Sequence, residues 1–227
     1  MVQIDAQGLS IRDLNAELRR LAVAGEEVVV RHPAARHNLG VAVTDAAGFT
    51  FHGSVGYYCA GLNCGAEFEV TGNAGWGVAE NMTSGRVIVR GDAGACAGAS
   101  MRGGTLYVAG NTAARTGISM KGGTLIVGGN AGFMTGFMIQ LGRIIVRGDV
   151  SEGVGDSMYE GEIYVGGRIK GFGNDAVLAE LSPEDEEMLA TELASVGLPV
   201  DREYCKIVAG KKLWYFDKKE HELWKRV

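Results

Sequence analysis

Glycine returns every 19 residues through the middle of this 227-residue chain, at Gly53, Gly72, Gly91, Gly110, Gly129, Gly148 and Gly167. A second lane at the same interval holds Gly85, Gly104, Gly123, Gly142 and Gly161, with Ala66 in the slot before them. A third holds Gly98, Gly117, Gly136 and Gly155. Three lanes in one phase mark stacked repeats, in which each unit buries its apolar side only against its neighbours.

The residues between the glycines define the unit. Two positions before the first lane stand Phe51, Val70, Val89, Val108, Val127, Val146 and Val165; four before it stand Phe49, Phe68, Val87, Leu106, Leu125, Ile144 and Ile163. Apolar, largely β-branched residues two apart are one buried face of a strand. A further apolar lane runs Met82, Met101, Met120, Ile139 and Met158, and reads as core packing, since thioethers fill irregular gaps.

Nineteen residues suit one coil of a β-solenoid and are too few for a helix pair. The expected fold is all-β, a right-handed parallel β-helix of 19-residue coils with short α-helical caps at both ends. At a strand spacing of ~4.8 Å, six steps make a rod roughly 29 Å long. The corner glycines are expected at φ > 0. The following Asn73, Asp92, Asn111, Asn130 and Asp149 are expected at the same corners, bonding locally. An antiparallel barrel would not hold one phase for so long.

A solenoid has to cover its open ends. Ser10 predicts a helix N-cap ahead of Ile11, Leu14, Leu18 and Leu21, with Gly25 as the stop and a strand over Glu27–Arg31. Ser182–Pro183 opens a second helix to about Val196, with Glu184, Asp185 and Glu186 as a solvated acidic first turn. Beyond Tyr204 come Lys206, Trp214, Tyr215, Phe216 and Trp224, a basic and aromatic tail that either caps the last coil or docks a partner. These signals divide the chain into an N-terminal helix and strand cap (1–38), the β-helix (39–174), and a C-terminal helix and tail (175–227).

The chain carries 36 glycines but 46% hydrophobic residues, the composition of a folded protein and not of a linker. Its net charge of −5 argues against a nucleic-acid surface. No apolar run is long enough to span a membrane and Met1–Leu21 lacks signal-peptide zones, so a soluble cytoplasmic protein is expected. Cys59, Cys64, Cys96 and Cys205 form no Cys-x-x-Cys pair and read as reduced thiols.

No phosphate loop, HExxH or GxSxG motif is present. His32 and His37 could be a metal pair only with further ligands, and Cys59 with Cys64 an iron–sulfur pair only with further cysteines; neither set is identifiable. No catalytic, cofactor-binding or metal-binding residue is therefore assigned. A contact surface is. The outward strand positions read Thr50, Glu69, Ile88, Tyr107, Ile126, Ile145 and Tyr164. The five apolar members, Ile88 to Tyr164, form a stripe roughly 19 Å long. A lone rod would rarely leave such a stripe wet, so a partner interface or a cover from the chain's own ends is predicted there.

The repeated Gly-[Asn/Asp]-Ala-Gly…Met-x-Gly-Gly-x-[Leu/Ile]-x-Val-x-Gly unit resembles the GXGXG domain, the β-helix at the C-terminus of the glutamate synthase large subunit. Related domains form separate subunits of glutamate-synthase-like enzymes and of formylmethanofuran dehydrogenase. Gly53–Asn63, Gly72–Met82 and Gly155–Glu160 look most like the β-helix subunit of the N-methylglutamate synthase family. The resemblance is strong over Leu39–Asn174 and looser at both ends. It implies a non-catalytic scaffold in a hetero-oligomer that converts methylamine and glutamate to N-methylglutamate and ammonia. One partner would be a class II glutamine amidotransferase-like subunit and another would carry FMN and iron–sulfur clusters. Val2 stands where such amidotransferases carry a nucleophilic cysteine. A stand-alone β-helix enzyme or carbohydrate binder is the other class, and it would display carboxylates or aromatics where the isoleucine stripe lies.

Overall fold

Val87, Leu106, Leu125, Ile144 and Ile163 stand one above the next in parallel register, as their common lane requires. The computed structural model describes residues 1–212, and within them the chain is mostly β, with two helices. The strands are β1 (Val2–Asp5), β2 (Glu27–Arg31), β3 (Gly48–His52), β4 (Cys64–Val70), β5 (Ser84–Val89) and β6 (Thr105–Val108). They continue as β7 (Lys121–Val127), β8 (Leu141–Val146), β9 (Glu162–Val165), β10 (Ala176–Ala179) and β11 (Cys205–Ala209). All belong to one sheet, ordered β1 to β9 and then β11 and β10. The pairs from β1 to β9 are parallel, whereas β11 pairs antiparallel with both β9 and β10. A second parallel ladder joins Val55, Ala74, Ala93, Thr112, Ala131, Val150 and Ile169, so the solenoid has seven coils in this stretch.

The interior is solid. The valine and leucine lanes and Met82, Met101, Met120, Ile139 and Met158 are all buried in one cluster. Packing tolerates no more bulk: a Cβ on Gly98 would lie 2.5 Å from Leu125 Cδ1.

The corners differ from expectation. Of the first glycine lane only Gly53 has positive φ, at 131°. The others are glycine because the coil below comes too close. A Cβ at Gly91 would lie 2.1 Å from Asn73 Oδ1, and one at Gly110 2.3 Å from Asp92 Oδ1. The Asn/Asp lane is likewise not in the left-handed region and does not bond locally. Each side-chain oxygen accepts the backbone N–H of its counterpart one coil on: Asp92 to Asn73 (2.9 Å), Asn111 to Asp92 (2.7 Å), Asn130 to Asn111 (2.9 Å), Asp149 to Asn130 (2.7 Å). Ser54 Oγ starts the ladder and the Arg168 N–H ends it. No two aspartates are adjacent in this lane, which avoids stacking like charges.

Positive φ is found instead in the second lane, at Gly85, Gly104, Gly123 and Gly142 (89°, 77°, 80° and 89°), and at alternate residues around the third. Cys96, Gly98 and Ser100 have φ of 59°, 68° and 54°, and Arg115, Gly117 and Ser119 repeat this at 58°, 68° and 54°. The same triplet recurs at Tyr58/Ala60/Leu62, Gly77/Ala79/Asn81, Met134/Gly136/Met138 and Gly153/Gly155/Ser157. Each non-glycine member costs on the order of 1 kcal/mol. The compensation is complete pairing between coils: Cys96 and Ser100 donate upward to Ala114 O and Ile118 O, and Gly98 donates downward to Val78 O.

Helix α1 (Ile11–Val23) starts where Ser10 Oγ accepts the Asp13 N–H, and buries Leu14, Leu18 and Leu21 against the start of the core. Helix α2 (Pro183–Ser195) opens with a capping box between Ser182 and Asp185. It does not cap the far end, which is occupied by β11 and β10; it lies along the flank.

Replacing Asn111 by Ala removes the acceptor for the Asn130 N–H and is expected to lower stability by about 1 kcal/mol. Gly110→Ala, which forces a methyl onto the ladder, should cost about 2 to 3 kcal/mol. Thermal unfolding of both variants reads the ranking, and a Gly110→Ala protein as stable as the parent would refute the close-approach account.

Candidate functional site

Ile88, Tyr107, Ile126, Ile145 and Tyr164 are in register on the outer face of β5 to β9. They are not left for a partner. Leu189 and Leu193 of α2, together with Tyr204, bury Tyr107, Ile126, Ile145 and Tyr164 in a second cluster, with Ile88 half-buried at its margin. Helix α2 has 13 residues, about 20 Å of axis, against a stripe of roughly 19 Å. Its start meets β9 through Asp185 and its end meets β5, where Arg86 bonds to Ser195 O. Between them, Glu192 accepts from Thr124 Oγ1 at 3.0 Å and pairs with Arg143 at 3.3 Å. Of the two covers the sequence left open, the chain's own end is the one present, so assigning the stripe to a partner interface is corrected.

Beneath the start of α2 lies a buried polar knot. The Tyr164 hydroxyl donates to Asp185 Oδ1 at 2.6 Å and lies 2.9 Å from Glu162 Oε2. Lys206 Nζ reaches Asp185 at 2.8 Å and Glu162 at 2.7 Å. Asp185 is 7% exposed, not the solvated helix start its sequence context suggests. Burial would raise its carboxyl, but Lys206, the Ser182 N–H and Tyr164 outweigh that and hold it at about 2. Burial and the Asp185 hydrogen bond push the Tyr164 hydroxyl up. A second clamp joins Asp201 to Arg147 at 2.7 Å and to Arg202 at 3.0 Å. Lys206 thus belongs to β11 and to this knot, while Trp214, Tyr215, Phe216 and Trp224 lie outside the described residues.

The candidate metal pairs are not brought together. His32 Nδ1 sits 3.0 Å from Asp5 Oδ1, whereas His37 Nδ1 accepts the Tyr57 N–H at 2.9 Å. Cys59 is buried, which pushes its thiol up to about 12; Cys64 is exposed, and hydrogen bonds from Thr83 and Ser84 lower it. Among the described residues no group of three or more His, Cys, Asp or Glu could hold a metal ion.

The structure does expose a surface that the sequence pattern did not flag. Tyr57, Trp76, Ala95, Ala114 and Phe133 occupy one lane beside the left-handed segments, linked through the bonds Tyr58 N–H to Trp76 O, Gly77 N–H to Ala95 O, Cys96 N–H to Ala114 O and Arg115 N–H to Phe133 O. Tyr57 stacks on His37 at 4.3 Å and on Trp76 at 5.5 Å between centroids. Trp76 is 59% exposed, Phe133 50%, Tyr57 49% and Leu62, nearby, 47%. With two alanines interrupting the aromatics, this lane carried no periodic signal.

No family model matches the chain. It is similar to Protein GlxC of Rhizobium meliloti (strain 1021), with 40% identity over 89 residues, 38% of this chain and 39% of that protein. The likeness therefore spans well under half of either.

Leu193→Ala should destabilise by about 2 to 5 kcal/mol and uncover the stripe, read as increased binding of an apolar dye below the unfolding transition. Because the Asp185 carboxyl is depressed, its contribution of about 2 kcal/mol is full above roughly pH 4 and is lost as pH falls through about 2. Acid titration of stability should show this loss in the parent and a smaller one in Asp185→Asn.

Proposed function

We propose that this chain is a structural subunit of a glutamate-synthase-like enzyme, and within that class of an N-methylglutamate synthase. The observation that carries the reading is the solid rod. Stacked lanes of valine, leucine and methionine fill its interior, so what it offers other molecules is rigid outer faces. The repeat's resemblance to the GXGXG domain and the partial likeness to Protein GlxC support the same class.

In this reading the rod winds right-handedly, as parallel crossovers do, and holds two partners in fixed relation. A class II glutamine amidotransferase-like subunit and an FMN and iron–sulfur subunit carry the chemistry, which exchanges methylamine for the amino group of glutamate and releases ammonia. The rod contributes position: reactive centres held in place convert diffusion between sites into a short transfer. The complex works in the cytoplasm, and no helix among the described residues is long and apolar enough to cross a membrane.

Purification of a tagged chain at native expression tests this. Copurifying flavin and iron–sulfur absorbance, with methylamine-dependent formation of N-methylglutamate, is the expected result. Molybdopterin in their place would point to a formylmethanofuran dehydrogenase-type complex, and a chain that purifies alone would sink the scaffold reading.

A further inference from the structure

The left-handed side of the rod is largely apolar over the five coils from Tyr57 to Phe133. From Gly56 to Leu62 and its repeats it presents Tyr57, Trp76, Ala95, Ala114, Ile118, Phe133 and Phe137, with glycine or alanine at Gly75, Gly94, Ala113 and Gly132. One exposed cation stands in its middle. Arg115 makes no ion pair or side-chain hydrogen bond among the described residues, and its neighbours in the lane are Cys96 and Met134. Glu80, two coils away in sequence phase, folds back toward Gly77 instead.

We infer that this face docks a partner subunit whose contact surface is apolar and carries a carboxylate over Arg115. The inference rests on the complex proposed above and names which side of the rod it uses. Charge complementarity selects the occupant: an apolar partner without a carboxylate would strip water from Arg115 and leave it unpaired, at a cost that defeats binding. The exposed residues are of the kinds that dominate protein interfaces, namely Trp, Tyr and Arg. Tyr57 has His37 on one side and Trp76 on the other, at interplanar angles of 22° and 18°, so both faces of that ring are occupied within the lane. The backbone beneath is already ordered by coil-to-coil hydrogen bonds, so docking costs little further ordering.

The test uses the full chain in its native cell. A photoreactive amino acid at Ala114 is cross-linked and the joined peptide sequenced. A peptide from a different polypeptide with Asp or Glu beside the cross-link supports the inference; a peptide from this same chain, or no cross-link, overturns it. Arg115→Glu should weaken assembly by about tenfold or more, measured as the flavin-to-chain ratio after purification, and reversing the identified carboxylate to Lys should restore it. Val200→Ala, exposed but on the C-terminal segment, should leave the ratio unchanged. If the parent copurifies flavin and Arg115→Glu does so equally, the face is wrong while the complex stands. If the cross-link identifies an acidic partner but no flavin accompanies it, the face stands and the enzyme class is wrong.

Discussion

Ala93 donates its N–H to Asn111 O in the next coil, and Ala113 donates back to Ala93 O, so each coil is clamped to its neighbour by backbone groups alone. Those bonds recur at one interval, and the interval forces like side chains into columns. Burial of the valine and methionine lanes, the closeness of Gly110 to the ladder and the outer stripe follow from it. A single out-of-phase coil would leave its own polar groups and those of two neighbours unpaired in a dry interior, where each is expensive.

The same constraint explains how so much left-handed backbone persists. Arginine, methionine, cysteine and tyrosine all adopt φ near +60° here, in positions where only the middle lane is mostly glycine. Local preference is overruled because the alternate up-and-down donors of that segment find partners only in this conformation. The coil is rigid where a loop would ordinarily yield, and the rigid side is the one that shows its aromatics to solvent.

Lanes repeating at one period were legible in the sequence: the inward valines, the methionine column, the outer stripe, and both helix starts at Ser10 and Ser182. What a lane's residue type does was less so. Glycine permits both positive φ and close approach, and the sequence cannot distinguish Gly98, which is left-handed, from Gly110, which makes room for Asp92. Asn and Asp can bond within a turn or across coils, and only the stacked geometry decides. Asp185 looked like a solvated helix start because the lysine that neutralises it lies 21 residues on, in another element. The cover on the stripe was legible as a need but not as an identity, since α2 is matched to it by length and not by any repeat. The aromatic lane escaped notice because alanine fills two of its five slots, at Ala95 and Ala114, and His37, which stacks on Tyr57, stands out of phase with them.

The asparagine and aspartate ladder has a corollary for how such a rod can change length. Each rung must land on the rung below, so adding or removing a few residues within a coil breaks every bond at that level, whereas a whole coil can be inserted with the ladder intact. The longer coil in which Val30 stands opposite Phe51 lies before Ser54 starts the ladder. The distance between two bodies gripping the rod is therefore graduated, changing only in whole divisions of ~4.8 Å. It behaves as a ruler with fixed marks.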